Sequence, residues 1–154
     1  MVIAGPNIPQ GTVVKQLVSL IDLPPTLLDI AGIDIPETFA GRSMLGLIKR
    51  RVDDWPEKVF VQISEAEVGR AIRTRRWKYS VFAPDELGKR DIGIDSFVER
   101  YLYDLHADPY ENVNLVGRGG YYRKIADNLM SRLKRCMAEV GEKEPEIKRA
   151  LYYA

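Results

Sequence analysis

The sequence predicts an α+β fold: a small antiparallel sheet of about four strands packed by a long C-terminal helix, with a strand and a short helix ahead of them. Apolar and polar residues alternate in several segments between Val59 and Leu105, as in half-buried strands. Apolar residues then recur every three or four positions from Gly120 to Val140, which indicates one face of a helix. Because such a face needs a cover, the simplest arrangement lays the helix across the sheet.

The first nineteen residues predict extended structure. Met1–Ala4 is a short apolar run that ends at Gly5 and Pro6, so it is interpreted as a buried strand. The segment 12–19 is rich in β-branched residues and predicts a second strand or an extended connection.

A short helix follows. Asp22 can cap its N-terminus, and the two prolines after Leu23 fall in a first turn, where a missing N–H costs little. Gly32 then suits the left-handed position that ends a helix. The predicted apolar face comprises Leu23, Leu27, Ile30 and Ala31. Residues 34–43 are interpreted as a loop, residues 44–48 as a further helical turn, and a domain boundary is predicted near 52–54.

The strands of the predicted sheet come next. In chain order they are 59–64, 70–74, 77–81 and 101–105, with a turn at 65–69, a loop at 84–95 and a turn at Asp108–Pro109. In the first strand, Val59, Val61 and Ile63 form one face, and Phe60, Gln62 and Ser64 form the other. The apolar face of the final helix comprises Tyr122, Ile125, Leu129, Leu133, Cys136 and Val140.

The composition excludes several classes of function. A chain of 154 residues that is 45% hydrophobic can fold without disulfide bonds or structural metal ions. A net charge of +1 produces no overall electrostatic attraction to nucleic acid or to an anionic membrane. No run approaches the roughly 18 apolar residues of a membrane span, so the chain as written is expected to be soluble. No signal peptide is visible, which makes it cytoplasmic as written, while the compartment of a full-length protein stays open. One histidine and one cysteine leave little material for a zinc site or a nucleophile–base pair.

Three runs resemble the C-terminal part of sulfatases of the alkaline-phosphatase superfamily. The first is Val18–Ile33 with Pro36, Gly41 and Ser43, which is similar to the family pattern "vDlaPTlLdlaGi…P…G.S". The second is Gly69–Thr74 with Trp77–Tyr79, which resembles "R.iRT..wKY", and the third is Leu102–Leu115, which resembles "LYDLe.DP.E..NL". The order and spacing of all three runs match the family.

This resemblance implies a division of the chain. Residues 1–52 would be the tail end, a strand–helix remnant, of the catalytic α/β domain, and residues 53–154 would be the C-terminal α+β subdomain. The family's Cys/Ser-x-Pro-x-Arg motif, whose first residue becomes formylglycine, is absent here, and so are the regions that carry its calcium ligands. Calcium and formylglycine are therefore implied for the complete enzyme and no cofactor for this chain, which is not expected to be active alone.

No catalytic residue and no metal ligand is predicted. The resemblance implies that the rim of the substrate pocket could include Arg70, placed at a hairpin tip, together with Arg73 and His106. Asp104 and Asp108 are attributed to turn formation, and Asp22 and Asp29 to capping and an exposed helix face.

Two functional hypotheses follow. In the first, the chain is the C-terminal portion of a sulfatase that supports an upstream catalytic domain and forms one wall of the pocket, with a sulfate ester bound only by the complete enzyme. In the second, it is a stand-alone binding or assembly module that self-associates as a homo-oligomer, because an unpaired strand and helix would expose apolar surface. Neither hypothesis involves nucleic acid or a membrane.

Overall fold

The computed structural model describes residues 1–64, 67–84 and 96–150. The chain divides into two compact units, Met1–Val59 and Phe60–Ala154. The assignment of residues 1–52 to a catalytic domain and 53–154 to a C-terminal subdomain stays a prediction.

The predicted strand at Met1–Ala4 is wrong. This run has no regular secondary structure, and Val2 is 94% exposed. A strand needs a neighbour that satisfies its backbone N–H and C=O groups, and the first unit supplies none beside it. The segment 12–19 likewise forms no strand and is an extended connection.

The helices of the first unit form where they were predicted. A 3-10 turn, Leu20–Asp22, continues into α1, Leu23–Ala31, which ends at Gly32 with the left-handed φ of 70°. The second helix, α2, is Leu45–Ile48. The apolar face of α1 is largely exposed, with Leu27 at 65% and Ile30 at 38%.

Buried polar groups hold α1 against the segment that precedes α2. Thr26 Oγ1 donates to the carbonyl of Asp22 at 2.5 Å and accepts the N–H of Met44 at 2.9 Å. Asp22 precedes α1 but its side chain makes no capping hydrogen bond to that helix, so the predicted capping is wrong. Its carboxylate instead accepts the N–H groups of Ser19 at 2.8 Å and Arg42 at 2.9 Å. Asp29, predicted on an exposed face, accepts a hydrogen bond from the hydroxyl of Ser43.

The second unit contains a five-stranded sheet whose order follows the chain. Its strands are β1, Lys58–Ser64; β2, Val68–Thr74; β3, Trp77–Phe82; β4, Ser96–Asp104; and β5, Glu146–Lys148. Strand β3 pairs antiparallel with β2 and β4, which confirms the predicted small antiparallel sheet. Strand β5 pairs parallel with β4 and was not predicted, because three residues carry no readable period. The predicted turn at 65–69 lies partly, and the loop at 84–95 mostly, outside the described residues.

In β1 the alternation of burial expected of a half-buried strand is absent, because Lys58–Phe60 are half-buried and Val61–Ser64 are all exposed. Phe60 packs against the core, whereas Val61 and Ile63 are 40% and 41% exposed. Burial therefore changes along β1, from half-buried at its start to exposed at its end.

The long helix α3, Tyr121–Glu139, covers one face of the sheet, as predicted. Its buried residues are Ala126, Leu129, Leu133, Cys136 and Met137. They pack against Val68, Ile72, Tyr79, Val81, Phe97 and Leu102 of the strands. Val140, predicted on the apolar stripe, lies beyond the end of α3 and is 54% exposed.

Candidate functional site

Arg70 is the third residue of β2, so its predicted place at a hairpin tip is wrong. Its Nε donates to both carboxylate oxygens of Glu142, at 2.8 and 3.1 Å, and its Nη1 donates to the carbonyls of Gly69 and Ile63. The guanidinium also lies 5.8 Å from the centre of the Phe97 ring. Only 12% of the side chain is exposed, and these contacts tie β2 to the segment after α3.

The end of the sheet where β2 turns into β3 carries several basic side chains. The turn is closed by Thr74 Oγ1, which accepts the N–H of Trp77 at 2.9 Å and donates to its carbonyl at 3.2 Å. In the strand register, Arg73 lies opposite Lys78. Like charges directly opposite each other destabilise a sheet unless a counter-charge is near. Glu111 supplies one to Lys78, with Nζ and Oε2 2.5 Å apart.

Arg76 forms a structural clamp at this end. Its Nε and Nη2 donate to the carboxylate of Asp104 at 2.7–3.1 Å, and its guanidinium stacks 4.9 Å from the centre of the Trp77 ring. The hydrogen bonds from Arg76 lower the pKa of Asp104, assisted by the N–H of His106 and opposed by desolvation. Asp104 therefore remains an anion that holds β3 to the end of β4.

Two of the three predicted rim residues, Arg73 and His106, lie at this end of the sheet. Arg73 is opposite Lys78 in the strand register, and Asp104, which precedes His106 by two residues, is opposite Trp77. Arg73 and His106 are both exposed. Arg70 is separate, because it lies on the face covered by α3, and alternation sends Arg73 to the opposite face. Whether any of the three contacts a substrate stays a prediction.

The described residues do not form a binding site for the calcium that the resemblance implies for the complete enzyme. No group of three or more His, Cys, Asp or Glu side chains within 1–64, 67–84 and 96–150 could hold a metal ion. Cys136 is buried in the core at 2% exposure, and the residues that follow it do not match the Cys/Ser-x-Pro-x-Arg motif of a formylglycine residue. The helices in this described part include none long and apolar enough to cross a membrane.

Sequence reasoning missed a buried charge network around Glu99. This carboxylate accepts two hydrogen bonds from the guanidinium of Arg123, at 2.6 and 2.8 Å, and one from the hydroxyl of Tyr79 at 3.0 Å. Burial, and next the negative charge of Glu99, raise the pKa of Tyr79, so its hydroxyl stays protonated as a donor. The predicted strand 101–105 began two residues after Glu99, so nothing in the sequence pattern indicated that this carboxylate is buried in β4 and requires a partner.

Comparison with known proteins identifies relatives of this chain. Residues 1–139 match the model of the family described as N-sulphoglucosamine sulphohydrolase, C-terminal. The chain belongs to this family. It is 30% identical over 125 residues to human Arylsulfatase K, and 32% identical over 117 residues to an arylsulfatase of Clostridium perfringens. Each match covers 75% of this chain and 22% of the relative, so the chain spans about a fifth of those proteins' length.

Solved structures agree with this assignment. A sulfatase from Bacteroides thetaiotaomicron superposes with a TM-score of 0.62 at 26% identity, over 79% of this chain and 25% of that one. The phosphonate monoester hydrolase of Silicibacter pomeroyi gives a TM-score of 0.62 at 25% identity, over 92% and 28% of the two chains. The chain is therefore a sulfatase C-terminal portion with an α+β fold, as the three sequence runs predicted.

Proposed function

We propose that this chain completes a sulfate ester hydrolase whose nucleophile, calcium and formylglycine belong to an upstream catalytic domain. The observation that carries the proposal is the match over residues 1–139 to a family of sulphohydrolase C-terminal regions, together with relatives such as human Arylsulfatase K, of which the matched part covers 22%. Sulfate ester hydrolysis needs an activated nucleophile and a cation that polarises the ester. The described residues provide neither the metal cluster nor the formylglycine motif.

The first unit supports the structural part of this role. It exposes Leu20, Ile21 and Leu27 to 80%, 54% and 65%. An upstream domain packed on these side chains would remove their apolar surface from water, at about 25 cal/mol for each Å² covered. An adjoining upstream reading frame with the Cys/Ser-x-Pro-x-Arg motif is expected. A promoter directly before Met1 would instead support the stand-alone assembly module.

The basic turn supports a second contribution, contact with the anionic substrate. Arg73 and Arg75 are exposed and have no partner among the described residues, and His106 lies at the same end of the sheet. Guanidinium groups present a planar fork of donors that matches sulfate oxygens. Arg70 does not share this role in the proposal, because Glu142 and two carbonyls already occupy its donors.

Activity measurements test both contributions. The chain alone should give no turnover of a chromogenic aryl sulfate, and the chain joined to its upstream portion should give turnover. In that complete enzyme, Arg73→Ala should raise KM by about tenfold through loss of one charged hydrogen bond, with a smaller change in kcat. Arg135→Ala, an exposed arginine on α3, is the matched control and should leave KM unchanged.

Each outcome can contradict the proposal separately. Turnover by the chain alone would refute the need for an upstream domain. An unchanged KM in the Arg73→Ala enzyme would refute the substrate contact and leave the structural role in place.

A further inference from the structure

Two cations lie side by side on the face of the sheet opposite α3, and they differ in whether a counter-charge occupies them. Arg73 on β2 lies directly opposite Lys78 on β3, so their Cα atoms are about 5 Å apart and both side chains project from the same face. Arg73 is exposed and has no partner among the described residues. Lys78 is occupied, because its Nζ lies 2.5 Å from Oε2 of Glu111 and 5.8 Å from the centre of the Tyr103 ring.

Glu111 reaches Lys78 from a turn whose geometry is unusual for a residue with a side chain. Its φ is 57°, in the left-handed region that is unfavourable for most residues other than glycine. Asp108 holds this turn in place. The Asp108 carboxylate accepts the N–H of Val113 at 2.8 Å and the side-chain amide of Asn112 at 3.1 Å. The Asp108 carbonyl accepts the N–H of Glu111 at 3.2 Å. The fold thus maintains an unfavourable conformation that keeps the Glu111 carboxylate on Lys78, 33 residues away along the chain.

The carboxylate on Lys78 decides what kind of group can bind next to Arg73. A free ammonium beside a bound sulfate would attract a second anionic group, because opposite charges at contact distance attract even near a protein surface. An ammonium already paired with a carboxylate offers little net attraction, and the carboxylate itself repels an anion. Loss of the Glu111 charge would therefore leave two unpaired cations on neighbouring strands in place of one.

We propose that Glu111 determines the charge specificity of the substrate site at the basic turn. It occupies Lys78, so a sulfate ester binds with its sulfate at Arg73 and with an uncharged part beside Lys78 and Tyr103. The inference rests on the proposed function, because it takes the contact between Arg73 and the anionic substrate as given. Glu111 acts through Lys78 and is a positioning residue. The substrate class is a sulfate ester without a second anionic group adjacent to the first.

Binding of aryl sulfonates to the full chain tests the proposal, because Arg73, Lys78 and Glu111 all belong to it. Benzenesulfonate carries one anionic group and benzene-1,3-disulfonate carries two, and neither has an ester bond to hydrolyse. In titrations followed by NMR, Glu111→Gln should bind the disulfonate about tenfold more tightly than the wild type, which corresponds to one added charged hydrogen bond. The gain for benzenesulfonate should be at most about threefold, because its single group is already held by Arg73.

Two further variants separate this role from a structural one. Lys78→Gln/Glu111→Gln should return the affinity for the disulfonate to the wild-type value, because the freed ammonium is gone. The matched control, Glu144→Gln, removes the same charge from another ion pair, in which Glu144 Oε1 lies 3.2 Å from Lys134 Nζ, and should leave both affinities unchanged. An ion pair that only stabilises the fold predicts the opposite sign, because its loss would weaken binding and lower the melting temperature.

Four results would overturn the proposal. They are a Glu111→Gln chain that binds the disulfonate no more tightly than the wild type, an equal gain for both sulfonates, a gain that persists in the double variant, and an equal gain in Glu144→Gln. The last of these would show an effect of net charge alone. Failure of the proposed function gives a different pattern: Arg73→Ala would then leave benzenesulfonate binding unchanged. If Arg73→Ala weakens that binding while Glu111→Gln has no effect, the charge specificity alone is refuted.

Discussion

Arg123→Ala should be among the most damaging single substitutions in the second unit, because it strips a buried carboxylate of its counter-charge. Glu99 is 2% exposed and accepts four hydrogen bonds, two from Arg123, one from the hydroxyl of Tyr79 and one from the N–H of Ala150. These partners lie on α3, on β3 and after β5, so one carboxylate joins three parts of the unit.

The cost follows from what remains in the variant. Breaking a buried ion pair by removing one partner costs about 3–5 kcal/mol. We expect about 3 kcal/mol for Arg123→Ala, the lower end, since the Arg123 side chain is 20% exposed and water can enter its place. Glu99→Gln should cost less, about 1.5–3 kcal/mol, because the amide oxygen still accepts a hydrogen bond. The double variant Glu99→Met/Arg123→Met should be more stable than the Arg123→Ala variant, since it leaves no charge buried.

Urea unfolding followed by far-UV circular dichroism measures these differences as shifts in midpoint at constant slope. Arg132→Ala, on the same helix, is the control for the loss of an arginine and should change stability by less than about 0.5 kcal/mol. An Arg123→Ala variant within 0.5 kcal/mol of the wild type would refute the reasoning. A double variant less stable than Arg123→Ala would also refute it.

Three further predictions concern other parts of the chain. Gly41→Ala should unfold the first unit, because its Cβ would lie 1.9 Å from the carbonyl oxygen of Ile21, whereas Gly119→Ala meets nothing within 4 Å and should melt like the wild type. Leu133→Ala should lower the free energy of unfolding by about 2–5 kcal/mol in urea, since the side chain is fully buried under the sheet. Asp104 stabilises the fold above its unfolded pKa of about 3.9 and loses this contribution as pH falls through its lowered folded pKa. Asp104→Asn should therefore flatten the loss of stability below pH 4 in acid titrations.

The elements that could be predicted are those whose signals are local. α1 has prolines in its first turn and Gly32 after its end, and α3 has a long apolar period, so both were located from sequence. Alternation locates a strand such as β1 but does not say how much of it is buried, because that depends on contacts with residues far away in sequence, such as those of Phe60 with the core. The partner of Arg70 could not be predicted from the sequence either, because Glu142 is 72 residues away along the chain.

Four polar residues of the three family-like runs hold elements of this structure together. Thr26 joins α1 to the chain before α2, Arg70 joins β2 to Glu142, and Asp104 clamps the turn between β2 and β3. Asn114 belongs to the same class, because its side chain bonds to the N–H of Leu102 and the carbonyl of Arg100 along β4. A residue whose donors and acceptors are already satisfied inside the fold has little left for a ligand.

Contact with a substrate is therefore expected from the side chains that the fold leaves unused. At the turn between β2 and β3, Arg73 and Arg75 meet this condition, since both are exposed and neither has a partner among the described residues. Arg76, their neighbour, does not, because Asp104 and Trp77 occupy its guanidinium. In the complete enzyme, Arg76→Ala should lower thermal stability, whereas Arg73→Ala should change KM at unchanged melting temperature. Equal effects of the two substitutions on both quantities would show that this division between structural and substrate-binding arginines is wrong.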